Sequence, residues 1–207
     1  MTDTKPKWSR RKEDRPAEIV EAAMDVFVEH GFAGTKLSEV AKRAGVAKGT
    51  LYLYFDTKEN LFRATARQAL AANLDAMEQS SAAFRGSVAE FVPVLLKRAA
   101  GRMGDGRIPG IVRMVLGESR AFPDLARIWH DEVVSRVLTL LSGMIANAQA
   151  RGEIRPGDPN LYAFSVIGPM VLGLLFHEFF GQDSPHAPDL EALAAQHSEA
   201  VLRGIVL

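Results

Sequence analysis

Apolar residues along this chain recur at helical spacing, and no stretch shows the sustained alternation of a strand. Ile19, Ala22, Ala23, Val26 and Phe27 stand three and four residues apart, which lays one apolar stripe along a helix. Pro16 suits the first turn of that helix, and His30-Gly31 ends it. Leu37, Val40, Ala41 and Ala44 form a shorter second stripe. Gly45 stands where the chain must leave that helix through a left-handed conformation, which costs glycine least. Val46 turns back toward the core, and a third helix begins near Lys48. A fourth follows a cap at Asp56 or Thr57, with Asp56 and Glu59 as a capping box. Its apolar positions are Leu61, Phe62, Ala66, Ala69, Leu70, Leu74 and Met77, so it runs out of the small N-terminal unit into the rest of the chain.

Soft breaks follow at Ser80-Ser81 and Gly86-Ser87. The pattern then predicts helices over residues 88–103, 108–119, 124–150, 159–180 and 189–204, separated by Gly- and Pro-rich punctuation. No repeat of fixed period and no low-complexity tract appears. The expected fold is all-α, with an N-terminal three-helix unit joined by a long helix to a C-terminal helical bundle. Residues 159–176 carry no charge and approach the lower end of a membrane-spanning length. They also hold Asn160, Ser165, Gly168 and Pro169, lead into His177-Glu178, and stand alone in the chain. A helix buried all round in a core or dimer interface accounts for them better, and no membrane partner is expected.

The second and third helices, hinged at Gly45, have the geometry of a helix-turn-helix over about residues 36–55. The third presents Lys48, Gly49, Thr50, Tyr52 and Tyr54, a set of donors, hydroxyls and bare backbone that suits phosphates and base edges. Thr35, Lys36 and Ser38 lie at the start of the second helix, where free N–H groups and the helix dipole favour a phosphate. Leu51 and Phe55, one turn apart, belong to the core. Ala47 leaves the third helix without a side-chain cap, at a typical cost of about 0.5–2 kcal/mol.

Charge sharpens this picture. The net charge is zero, yet residues 1–58 carry 11 Lys and Arg against 9 Asp and Glu, and the remainder 14 against 16. The first fifteen residues hold Lys5, Lys7, Arg10, Arg11, Lys12 and Arg15 against Asp3, Glu13 and Asp14. Such a basic, flexible arm solubilises a terminus; beside a helix-turn-helix it also touches phosphates or the minor groove. The absence of cysteine excludes disulfides, cysteine zinc sites and thiol catalysis, and fits a reducing compartment. No apolar segment follows the basic start, so no signal peptide is expected and the location is cytoplasmic.

Enzyme chemistry finds little support. His30, His130, His177, His186 and His197 are scattered, without the His-Glu-x-x-His spacing of a zinc site. His130-Asp131-Glu132 and His177-Glu178 place neighbours about 100° apart on a helix, poor geometry for a shared metal. Neither a Gly-x-Ser-x-Gly elbow nor a phosphate-cradling Gly-rich loop is present. No catalytic residue, metal or cofactor is expected.

The ordered string Ala41-x-x-Ala44-Gly45-Val46-x-Lys48-Gly49-Thr50-Leu51-Tyr52-x-Tyr54-Phe55-x-x-Lys58-x-x-Leu61 resembles the TetR family of bacterial transcriptional regulators. The resemblance is dense over residues 15–65 and thin beyond. It implies a homodimer bound to a pseudo-palindromic double-stranded operator, with Lys58 on a phosphate. It divides the chain into a DNA-binding domain at 16–62 and a ligand-binding and dimerisation domain at 63–207. The latter would hold a small, largely apolar effector among Phe91, Leu95, Arg113, Phe122, Trp129, His130, Phe164, Met170 and His177. The last two helices would form the dimer interface through Phe164, Gly168, Leu172, Phe176 and Leu193. Two departures stand out: Ala47 replaces a frequent Ser, and Leu53 replaces a frequent His or aromatic, which removes one DNA contact. The resulting expectation is a ligand-released repressor. A ligand-independent activator or DNA organiser is the alternative, and beyond it a helical ligand carrier or enzyme with a vestigial helix-turn-helix.

Overall fold

The computed structural model describes residues 7–69, 87–104 and 106–207, with side chains from Arg15 onward. Helix α1 spans Lys7–Gly34 and starts nine residues before the expected Pro16. Residues 7–15 contain no glycine or proline and are rich in helix-tolerant Arg, Lys and Glu. The backbone is therefore helical where a flexible arm was expected. Near its other end Gly31 leaves helical geometry at φ 68° and ψ 178°, so the long helix ends at His30 and one further turn follows. Helices α2 (Leu37–Arg43) and α3 (Lys48–Tyr54) are hinged at Gly45, whose φ of 65° is the expected left-handed turn.

Helix α4 is described over 58–69. Thr57 caps it: its Oγ1 accepts from the Asn60 N–H at 3.1 Å, while Asp56 takes the Asn60 side-chain amide at 2.6 Å instead of a box with Glu59. The expected positions Leu70, Leu74 and Met77 and the breaks at 80–81 and 86 lie outside the described residues.

Helices α5 (Val88–Met103) and α6 (Arg107–Glu118) follow the predicted pattern within a residue. The single helix expected over 124–150 is instead α7 (Pro123–Trp129), a π-helical turn at His130–Val134, and α8 (Ser135–Ala150). The wider turn leaves adjacent Glu132 and Val133 both buried. Helices α9 (Pro159–Phe180) and α10 (Leu190–Ile205) are capped by Asp158 and Asp189, whose carboxylates accept from N–H groups of their first turns. An isolated antiparallel bridge between Ile154 and Val206 ties the end of α8 to the end of α10.

Two apolar cores result. The first gathers Ile19, Phe27, Phe32, Leu51, Leu61 and Phe62 from the N-terminal helices with Ile111, Leu125 and Ile128 from α6 and α7. The second joins α5, α8, α9 and α10 around Leu96, Ile145, Ala163, Val166 and Met170. The core of the helix-turn-helix unit thus continues into α6 and α7.

Helix α9 is buried on one side of the single chain. It buries Ala163, Val166, Met170, Gly173 and Leu174, yet Leu161, Phe164, Leu172, Phe179 and Phe180 are each 55–68% exposed. A helix apolar on every side finds neighbours for only one side among the described residues. By length and composition α9 could cross a membrane. Here its inner face packs on α8 and α10 as a bundle helix does.

Gly31 and Gly45 share a left-handed backbone but differ in surroundings. A Cβ at Gly31 would collide with Glu118 Oε1, whereas one at Gly45 would meet nothing within 4 Å. Gly45→Ala should cost about 1–2 kcal/mol from backbone strain alone. Gly31→Ala should cost clearly more, read as a larger fall in melting temperature by circular dichroism. Equal losses would show that Glu118 does not confine this turn.

Candidate nucleic-acid interface

Helix α3 is anchored by one side chain. Leu51 is fully buried, and at about 100° per residue the positions around it sort by distance from the core. Lys48, Gly49, Tyr52 and Leu53 are exposed, and Thr50 is half-buried. The Lys48 ammonium lies 5.7 Å from the centre of the Tyr52 ring. Lys36 and Ser38 are exposed at the start of α2. Ala47 is extended and provides no side-chain cap, so the N–H groups at the start of α3 lack the partner a serine would supply.

Three expected contact residues turn inward. Tyr54, three positions from Leu51 and so only about 60° around the helix, packs on the first core. Thr35 is 3% exposed, and its hydroxyl donates to the Gly31 carbonyl at 2.6 Å. Lys58 reaches back across the turn between α1 and α2, where its ammonium donates to the carbonyls of Phe32 at 2.5 Å, Thr35 at 3.1 Å and Ala33 at 3.3 Å. Three N–H donors meet three carbonyls, so Lys58 closes the end of α1 where a phosphate contact was expected.

The same turn is gripped from the other side. Glu118, the last residue of α6, accepts from the Phe32 N–H at 2.9 Å and the Ala33 N–H at 2.7 Å. The Phe32 ring lies 4.6 Å below the Lys58 ammonium and packs against Phe27, Phe62 and Phe122 at centroid distances of 5.9, 6.1 and 5.2 Å. One residue therefore has its amide, its carbonyl and its side chain held by α6, α4 and the α6–α7 corner.

A second link lies one to two turns further along α4. Glu132, in the π turn, accepts from Arg63 at 2.8 Å and from Arg67 Nε at 2.6 Å. The Arg67 hydrogen bonds, with help from Arg63, hold its carboxyl below the usual carboxylate range against the opposing effect of burial. The sequence offered Glu132 only as part of a poor metal triplet. No local pattern pairs it with arginines 65 and 69 residues away.

Among the described residues the expected pocket residues divide between the two cores and the surface. Phe91, Leu95 and Met170 are buried in the second core, and Phe122 and Trp129 pack on the first. Arg113 is exposed and pairs with Glu178 at 2.9 Å; exposed His130 contacts Asp131; Phe164 faces outward. His177 hydrogen-bonds the Pro188 carbonyl at 2.8 Å, which ties α9 to the segment before α10. Side chains of the right type are consumed by core packing and helix-to-loop contacts. A cleft of about 160 Å³ lies beside the gripped turn, lined by Phe32, Glu59, Phe122 and Leu125. Of the expected dimer residues, Phe164 and Leu172 are exposed, and Phe176 packs on Phe180 at 4.9 Å. Gly168 has open space where a side chain would stand, whereas Leu193 packs inward against Gly173.

A two-helix reader with an outward ridge, built into an all-α chain, defines a helix-turn-helix DNA-binding protein. The family model described as "Bacterial regulatory proteins, tetR family" matches residues 19–65, and that described as "Tetracyclin repressor-like, C-terminal domain" matches residues 84–196. The chain is 30% identical over 177 residues to the HTH-type transcriptional regulator RutR of Escherichia coli K12, a match that covers 79% of this chain and 75% of that one. It is 26% identical over 148 residues to the fatty acid metabolism regulator protein of Bacillus subtilis, covering 72% and 75%. The crystal structure of the Bacillus subtilis regulator FadR in complex with stearoyl-CoA superposes with a TM-score of 0.76 at 25% identity, over 91% of this chain and 98% of that one. The chain belongs to the TetR family and is a DNA-binding transcriptional regulator.

The placement of Lys58 has a measurable consequence. Lys58→Ala should lower stability by about 1–3 kcal/mol in urea denaturation, because three carbonyls at the end of α1, two of them part-buried, lose their donor. At salt concentrations where the variant is folded, the slope of log affinity for DNA against log salt should match that of the unsubstituted protein. A slope smaller by about one unit would put Lys58 on a phosphate after all.

Proposed function

We propose that this chain is a cytoplasmic, effector-released repressor that binds a pseudo-palindromic operator as a homodimer. The observation that carries the reading is the grip of α6 and α4 on the turn before α2. Through Glu118, Lys58 and the Phe32 ring, a shift of α6 or α7 is passed to the turn that leads into the helix-turn-helix. An effector acts only if it binds one spacing of the two reading helices better than the other. The Arg63 and Arg67 bonds to Glu132 supply a second element that such a shift must carry along or break.

The dimer rests on α9. Its exposed Leu161, Phe164, Leu172 and Phe179 make an apolar face too large to leave in water, and a two-fold contact with a second copy covers it isologously. Two reading helices would then meet half-sites about 34–36 Å apart, or a multiple of that spacing. Leu172→Glu should give monomers or aggregates by size-exclusion chromatography and abolish operator binding. A well-behaved dimer carrying that substitution would remove α9 from the interface.

The effector is small and largely apolar, and stearoyl-CoA, bound by the Bacillus subtilis relative, is the first probe to use. Titrated with and without operator, it should bind about 5–150-fold more weakly in the presence of operator, since linkage is reciprocal. Equal affinities in the two titrations would show that this probe does not release the protein. The same result across a panel of apolar ligands would favour a ligand-independent regulator.

A further inference from the structure

We propose that Leu53 is a specificity-determining residue that reads a thymine methyl group in the major groove. The proposal rests on the DNA-binding function and goes beyond it to name what the outermost side chain recognises.

The geometry of α3 carries the argument. Leu51 marks the core direction. At about 100° per residue, Lys48 and Tyr54 lie roughly 60° from it, Thr50 and Tyr52 roughly 100°, and Gly49 and Leu53 roughly 160°. Gly49 and Leu53, one turn apart, therefore form the ridge farthest from the core. Gly49 carries no side chain, and an added Cβ there would meet nothing within 4 Å. Leu53 is the side chain on that ridge, and it is 83% exposed, above every other exposed large hydrophobic among the described residues. Nothing among the described residues explains an isobutyl group held out at this point.

Leucine neither donates nor accepts a hydrogen bond. Against the polar groove edges of guanine, cytosine or adenine, it would strip water from donors and acceptors and give nothing back. Thymine alone offers the C5 methyl, so the favourable contact is apolar against apolar. Polar recognition is left to the flanks, with Lys48 and Tyr52 on one side and Thr50 on the other. Leu53, which the sequence pattern marked as a lost contact, is thus a contact of a different chemistry.

The test uses the full-length protein. An operator is selected from a random duplex library, and each thymine of a half-site is then replaced singly by deoxyuridine, which lacks only the methyl. One position in each half-site should weaken binding by about fourfold, the effect of one buried methyl-sized group. Leu53→Ala, which should keep the helical content and melting temperature of the unsubstituted protein, should bind the thymine and deoxyuridine operators equally. If every deoxyuridine operator binds like the original, or if Leu53→Ala discriminates as well as leucine does, the assignment of Leu53 is overturned while DNA binding stands. If no sequence is enriched from the library, sequence-specific DNA binding itself fails, and Leu53 with it.

Discussion

The turn around Phe32 is the constraint on which the architecture depends. Its amide is held by a carboxylate, its carbonyl by an ammonium and its ring by three other aromatics. The partners come from α1 itself, from α4, from the end of α6 and from the α6–α7 corner, and Gly31 makes the approach possible by carrying no side chain where the Glu118 carboxylate sits. The end of a helix normally leaves carbonyls without partners. Here those orphan groups become the attachment point through which the rest of the protein holds its DNA-reading unit.

That attachment explains why the two apolar cores do not follow the boundary between reader and bundle. Helices α6 and α7 contribute Ile111, Leu125 and Ile128 to the core of the N-terminal unit, so they pack as part of it. Helices α5, α8, α9 and α10 form the other body. The π turn at His130–Val134 joins the two, and Glu132 in that turn is fastened to α4. A buried carboxylate shared by two arginines is costly to separate from either, which favours two discrete arrangements over a graded slide.

The reading helix is modest by comparison. It has seven residues, no side-chain cap, and a single fully buried anchor. A helix so short does not hold itself together in water and depends on its tertiary contacts. Its position is therefore inherited from α2, from Gly45 and ultimately from the gripped turn. Helix α9 depends on partners in another way, because its outer apolar face finds none among the described residues.

Local spacing by itself determined most of the helices, though not the early start of α1 or the π turn at His130–Val134, together with the left-handed hinge at Gly45, the uncapped start of α3 and the buried position of Leu51. These follow from contacts within a turn or two of helix, which is the range an apolar repeat records. The motif string around Lys48 to Phe55 likewise carried the family. Tertiary structure alone decided what the polar residues do. Thr35 and Lys58 have the composition of phosphate ligands, but they close the end of α1, because the carbonyls there lack intrahelical partners. Glu118 and Glu132 gave no signal, since their partners lie between 65 and 86 residues away and a charged residue on a helix looks the same whether it meets water or a buried amide. The candidate pocket residues divide between two cores and the surface for a related reason: apolar composition states that a side chain will be buried, and only packing states against what.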